Sequence, residues 1–159
     1  MHIKGITTED FVNYKWPSMY ICTSVCDFKC DADNKAPCCQ NGELAKAPSS
    51  DLDDDIIIEK YLQNDITKAV VFGGLEPFDQ YEELIKFVNR MRTKYCCEDD
   101  IVIYTGYYPE EIGGELATLR HYPNIIVKFG RFMPNREKKY DDVLGVWLAS
   151  PNQFGERIS

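Results

Sequence analysis

The chain has 159 residues, 44% hydrophobic and 28% charged, a composition that excludes a disordered tract and suits one domain over residues 1–159. Lys and Arg number 18 against 26 Asp and Glu, a net charge of −8, so the overall basic footprint of a nucleic-acid or anionic-membrane binder is missing. No apolar run approaches the roughly 20 residues of a membrane span, and Met1-His2-Ile3-Lys4-Gly5 opens no signal peptide, so the expected address is cytoplasmic.

In chain order, residues 1–17 are poorly periodic and read as a lead-in that the Trp16-Pro17 step keeps extended. Ser18 to Val25 is rich in β-branched and aromatic residues and predicts the first strand. Residues 26–48 have loop composition and hold most of the cysteines, and a loop that long needs a functional reason. Ser49-Ser50-Asp51 followed by Asp53-Asp54-Asp55 opens a helix running to Asn64, with a capping side chain and carboxylates set against the positive end of the dipole. Ala69-Val70-Val71-Phe72 is wholly apolar, as in a parallel strand covered on both faces, and runs into Gly73-Gly74-Leu75-Glu76-Pro77. An amphipathic helix follows, with Tyr81, Leu84, Ile85, Val88 and Met91 on one side. Ile101–Tyr104, Asn124–Phe129 and Leu144–Leu148 predict three more strands, with a short helix opening at Pro109. Strands alternating with helices imply an α/β fold with a parallel sheet, whose ligands sit beyond the carboxyl ends of the strands. The chain is too short for a closed eight-stranded barrel of about 250 residues, so an incomplete, open barrel is expected.

The cysteines are the most informative feature. There are seven, an odd number, which with a reducing compartment argues against a disulfide framework. Cys22, Cys26, Cys30, Cys38 and Cys39 crowd one segment, which points to metal or redox chemistry. Cys22 and Cys96 also suit small buried apolar positions, and Cys96-Cys97 alone is a poor second metal site. His2 and His121 lie near no cysteine in sequence and are not expected to be ligands. Iron–sulfur clusters are held by thiolates, usually four when the cluster only carries electrons. Three would leave one iron open, as metal sites that bind a substrate require. A Gly-Gly turn at a strand end lets a ligand approach the main chain, so Gly73 and Gly74 are expected to be bare for that reason.

Together Cys26-Asp27-Phe28-Lys29-Cys30 and Gly73-Gly74-Leu75-Glu76-Pro77 resemble the radical S-adenosylmethionine superfamily, whose signatures are Cys-x3-Cys-x2-Cys and Gly-Gly-Glu-Pro. The third cysteine departs from that pattern, because position 33 is an aspartate. Two registers complete the triad: Cys22, Cys26 and Cys30, or Cys26, Cys30 and Cys39 with an eight-residue insertion. The second is preferred. Cys39-Gln40-Asn41 is similar to the family's Cys-His-Asn, and Cys22 falls within the expected strand. Cys38 remains a spare thiol or a substitute for Cys39.

Tyr104-Thr105-Gly106-Tyr107, Lys128-Phe129-Gly130-Arg131-Phe132 and Ala149-Ser150-Pro151-Asn152-Gln153 resemble, in order, landmarks of the activating proteins of anaerobic (class III) ribonucleoside-triphosphate reductase. That resemblance implies a minimal open (β/α) barrel of the radical S-adenosylmethionine type, a [4Fe–4S] cluster on Cys26, Cys30 and Cys39, and S-adenosylmethionine as second cofactor. It implies that Gly73, Gly74 and Glu76 meet the amino group of the methionine moiety, with Asn41 and Gln153 adding polar contacts. It further implies a one-electron donor such as flavodoxin or ferredoxin. The partner would be a reductase on which a glycyl radical is made, and neither nucleic acid nor membrane is expected. Two other classes compete: a radical S-adenosylmethionine enzyme with a different substrate, and a zinc-stabilised binding module using four of the clustered cysteines.

Overall fold

The computed structural model describes residues 1–159. Its strands are β1 (His2–Asp10), β2 (Ser18–Thr23), β3 (Ser50–Asp51), β4 (Ala69–Gly74), β5 (Asp100–Tyr104), β6 (Ile125–Phe129), β7 (Lys139–Asp141), β8 (Val146–Leu148) and β9 (Phe154–Arg157). Its helices are α1 (Lys29–Asn34), α2 (Gly42–Lys46), α3 (Asp54–Leu62), α4 (Tyr81–Thr93) and α5 (Gly113–Leu119). The architecture is mixed α/β around a mostly parallel sheet. β2, β4, β5 and β6 pair in parallel, β1 lies antiparallel beside β2 with β3 beyond it, and β9 lies antiparallel beside β6.

The wholly apolar Ala69-Val70-Val71-Phe72 is buried along its length, because successive side chains enter different layers. Val70 and Phe72 join a large core against α3, α4 and α5, whereas Ala69 and Val71 join a smaller cluster with Tyr14, Val102, Ile126, Leu144 and Leu148. α4 buries Leu84, Phe87, Val88 and Met91, with Tyr81 and Ile85 partly covered at the border. Phe87 meets Phe72 edge to face with centroids 5.1 Å apart. Burying each such side chain contributes about 1.5–3 kcal/mol. α3 starts later than expected, because Ser50–Asp51 pair with β1 as β3; Asp53 then caps the helix by accepting from the Asp55 N–H at 2.8 Å, and Gln63 closes it.

Three expectations need correction. Residues 1–17 are not a lead-in, since β1 occupies most of them and pairs with both β2 and β3. Its pattern hid because only Ile3 and Asp10 are buried and bulges break its register, so backbone pairing holds it rather than an apolar stripe. Residues 26–48 contain α1 and α2. Leu144–Leu148 supplies β8, but β8 pairs only with β7 in a separate hairpin, and the place beside β6 goes to β9. No helix is long and apolar enough to cross a membrane.

The hairpin leaves one face of the sheet incompletely covered. Leu144 and Leu148, with Tyr14, shield the side opposite the helices only in part. That face presents Tyr20 from the middle of β2, and Tyr104 and Lys128 from the carboxyl ends of β5 and β6, to a cavity.

Candidate metal centre and cavity

The cavity has a volume of about 330 Å³, within the range of small-molecule sites. Cys26, Cys30 and Cys39 lie on its wall with Asn41, Gly74, Glu76 and Gln153, whereas Cys22, Cys38 and Gly73 do not. The cysteine segment reaches it by local hydrogen bonds. After β2, Val25 O accepts from Glu76 N at 2.8 Å, which lays the chain against the Gly-Gly-Leu-Glu-Pro turn. Phe28, at φ 55°, turns the chain into α1 and donates its N–H to Cys26 Sγ at 3.2 Å. α1 carries Cys30 and is tied to the far side of the sheet: Asn34 Nδ2 donates to Phe132 O at 3.2 Å, and Asp33 pairs with Arg131 Nε at 3.1 Å. Lys29 Nζ sits 3.9 Å from the Tyr107 ring centroid, a cation–π contact at the same crossing.

The ligand atoms that come within 4.8 Å of one another form two groups, Cys30/Asp31/Cys38 and Cys26/Asp27/Asp79. Neither contains more than two thiols, which is poor geometry for a mononuclear tetrahedral thiolate site. A cluster is different, because each thiolate binds its own iron and the sulfurs need only surround a common space. Cys26, Cys30 and Cys39 do surround one, and this donor set suits a cluster. Burial pushes both the Cys26 and Cys30 thiols up to about 12, reinforced at Cys26 by the Glu76 and Asp79 charges and at Cys30 by the nearby Cys39 sulfur. Metal binding must displace those protons, as it does at any thiolate site.

Glu76 is buried and accepts three hydrogen bonds. Oε1 accepts from Phe78 N at 3.1 Å and from Thr105 Oγ1 at 2.7 Å, and Oε2 accepts from Gly106 N at 2.8 Å. It therefore fastens the end of β4 to the end of β5. Burial raises its pKa to about 7, against the pull of those three donors. A carboxylate offers about four acceptor sites, which leaves one for a ligand. Asn41 Nδ2 donates to Gly74 O, and Thr23 Oγ1 to Gly73 O at 3.1 Å. Gln153 accepts from Ala149 N and Ser150 N through Oε1 and donates from Nε2 to Gly130 O at 3.2 Å, pinning the C-terminal segment to the end of β6. The polar groups expected to meet a cofactor thus already hold the fold together.

The glycines are also tightly placed by the protein itself. A Cβ on Gly73 would strike the Tyr20 ring, whose hydroxyl accepts from Gly74 N at 2.7 Å. One on Gly74, at φ +83°, would lie 3.0 Å from the backbone of Cys22. Protein neighbours and, at Gly74, a positive φ already require a bare Cα at both positions.

Lys128 is the functional candidate that sequence reasoning passed over. It interrupts the apolar run Ile125-Ile126-Val127-Lys128-Phe129, and that interruption was the available signal. Alternation turns it away from the helices into the cavity, where it is 7% exposed and Nζ donates to Gly130 O at 2.9 Å. Burial pushes it down to about 8, and the Glu76 charge opposes that shift.

The family model of the 4Fe-4S single cluster domain matches residues 18–153. The chain belongs to this family. The matched span runs from β2 to the Gln153 pin, so it takes in the cysteine segment and the carboxyl ends of the parallel strands β2, β4, β5 and β6. No curated protein and no solved structure matches the chain. Membership makes this an iron–sulfur, metal-binding protein, and a zinc module is set aside on that ground.

Proposed function

We propose that this iron–sulfur protein is a radical S-adenosylmethionine enzyme, an activase that generates a glycyl radical on an anaerobic ribonucleotide reductase. One observation carries the reading: three thiols, rather than four, share a cavity with the Gly74–Glu76 turn at the carboxyl edge of a parallel sheet. The four parallel strands, flanked by the antiparallel β1 and β9, are, on this reading, a minimal barrel of that superfamily. Cys26, Cys30 and Cys39 would hold the cluster, three thiolates leaving room for S-adenosylmethionine to bind beside it. Once bound and reduced by an external one-electron donor, the pair would supply the reductive cleavage of S-adenosylmethionine that starts glycyl-radical formation on the partner.

The chain's own residues bind, orient and exclude water. The remaining acceptor site of Glu76 and the Gly74 carbonyl receive the ammonium of the methionine moiety. Lys128 is the cation for its carboxylate, and its burial leaves the ammonium weakly screened by water, so its attraction for an anion in the cavity is stronger than at a surface. Tyr20 and Tyr104 wall the cavity without offering a charge. A one-electron donor such as flavodoxin or ferredoxin reduces the cluster.

The test is anaerobic reconstitution followed by a strong one-electron reductant and S-adenosylmethionine, with methionine and 5′-deoxyadenosine as products. A class III reductase should then acquire a glycyl radical seen by electron paramagnetic resonance. A reducible cluster with no cofactor cleavage overturns the proposal. Cleavage without a glycyl radical assigns the same cavity to another substrate.

A further inference from the structure

The cysteine segment poses a problem of choice. Cys38 and Cys39 are adjacent, and a slip of one residue would exchange them at the cavity. The structure presents only Cys39 there, while Cys38 Sγ turns back and donates to Cys30 O at 3.3 Å. One atom accounts for the choice. Asp31 Oδ1 accepts two successive backbone N–H groups, from Cys38 at 2.8 Å and from Cys39 at 2.7 Å. The Asp31 carbonyl also accepts from Ala36 N at 3.2 Å, so both ends of the turn through Lys35, Ala36 and Pro37 close on a single residue of α1. α1 is itself fixed, by the Asn34 and Asp33 contacts to the segment after β6.

We infer that Asp31 is a positioning residue: it closes the insertion between Cys30 and Cys39 and fixes which of two adjacent cysteines becomes the third cluster ligand. The inference rests on the ligand set of the proposed function and goes beyond it. The physical ground is pre-organisation. A free insertion carries its closure entropy into cluster assembly and presents either thiol, whereas two hydrogen bonds from consecutive amides to one side-chain oxygen hold both the loop and its register. A carboxamide oxygen in place of Oδ1 can accept the same two donors, but a methyl group cannot.

The test uses the full chain, reconstituted anaerobically with iron and sulfide. Its readouts are iron per chain and the rate at which a chelator bleaches the cluster. Loss of both bonds in Asp31→Ala should speed bleaching about tenfold or more, while Asp31→Asn stays near the parent rate. Cys39→Ser should lose iron and Cys38→Ser should keep it. Iodoacetamide mapping of the loaded protein should find Cys39 protected and Cys38 alkylated in the parent, with that contrast lost in Asp31→Ala. The inference falls if Asp31→Ala bleaches at the parent rate, if Asp31→Asn is as fast as Asp31→Ala, or if Cys38 proves to be the required thiol. Should Asp31→Ala fail to fold, Asp31→Asn and the two cysteine variants still decide. Because none of these readouts senses cofactor cleavage, a parent that binds iron but leaves S-adenosylmethionine intact would end the activase proposal without touching this one.

Discussion

On the helix side of the sheet, Val70, Phe72, Ile101, Ile103, Ile125 and Val127 meet three helices in a continuous apolar core. On the other side, the alternate residues of those same strands begin apolar, at Ala69, Val71, Val102 and Ile126, and end at Tyr104 and Lys128. The first side is closed by packing and makes the fold stable. The second is only partly covered by the β7–β8 hairpin and Tyr14, and its uncovered end is where polar groups and thiols gather. A two-residue period thus lets one strand serve stability and chemistry at once. Substitutions on the two sides should therefore separate.

The largest effect belongs to the thiols. Cys26→Ala or Cys30→Ala should reduce the iron of the reconstituted protein from about four per chain to near zero, whereas Cys22→Ala, away from the cavity, should retain it. Iron and sulfide assays decide this, and iron retention in both of the first two variants would remove the cluster from this cavity.

Next comes the helix side. Phe87→Ala empties a fully buried position against Phe72 and should cost about 3–5 kcal/mol by denaturant unfolding. Iron per folded chain should be unchanged. If iron falls with stability, the two sides are more tightly coupled than the packing indicates.

Glu76 links the sides through its pKa of about 7. Its folded pKa is raised above the unfolded value, so the folded state holds the extra proton between about pH 4.5 and 7. Stability from this group is full below that window and is lost as pH rises through it, by about 3 kcal/mol at most. Urea unfolding across the window should show this decline in the parent, and Glu76→Gln should remove it. Parallel curves for the two would mean that Glu76 does not titrate there.

The smallest effect is chemical rather than structural. Lys128→Met keeps the volume and discards a buried cation, so unfolding should barely change. In the proposed function it should weaken S-adenosylmethionine binding about 10- to 100-fold, the scale of one charged hydrogen bond. Isothermal titration of the cluster-loaded variant measures it, and parent-like affinity would free Lys128 from the ligand.

Much of this molecule was legible because it rests on local pattern. The apolar run at Ala69–Phe72, the stripe on α4 and the Asp53 cap each follow from side-chain period or from a helix end's need for an acceptor. The thiols stood out by type and crowding. The antiparallel strands that flank the parallel core were not legible, since β1 and β9 are held by backbone pairing to neighbour strands, and such pairing leaves little trace in composition.

Side-chain period and residue chemistry, acting over a few neighbouring positions, were enough to specify the parallel α/β core, the cysteine segment and the strand-end glycines. Which partner each of these groups meets came from packing alone. The folded chain gave the bare Cα of Gly73 to Tyr20, the carboxylate of Glu76 to Thr105 and Gly106, and the amides of Cys38 and Cys39 to Asp31. It also turned Lys128 from an oddity in an apolar strand into the buried cation of the cavity. The reason is that a buried donor or acceptor must be satisfied by whatever the fold brings within about 3 Å, and that neighbour is set by packing rather than by sequence distance.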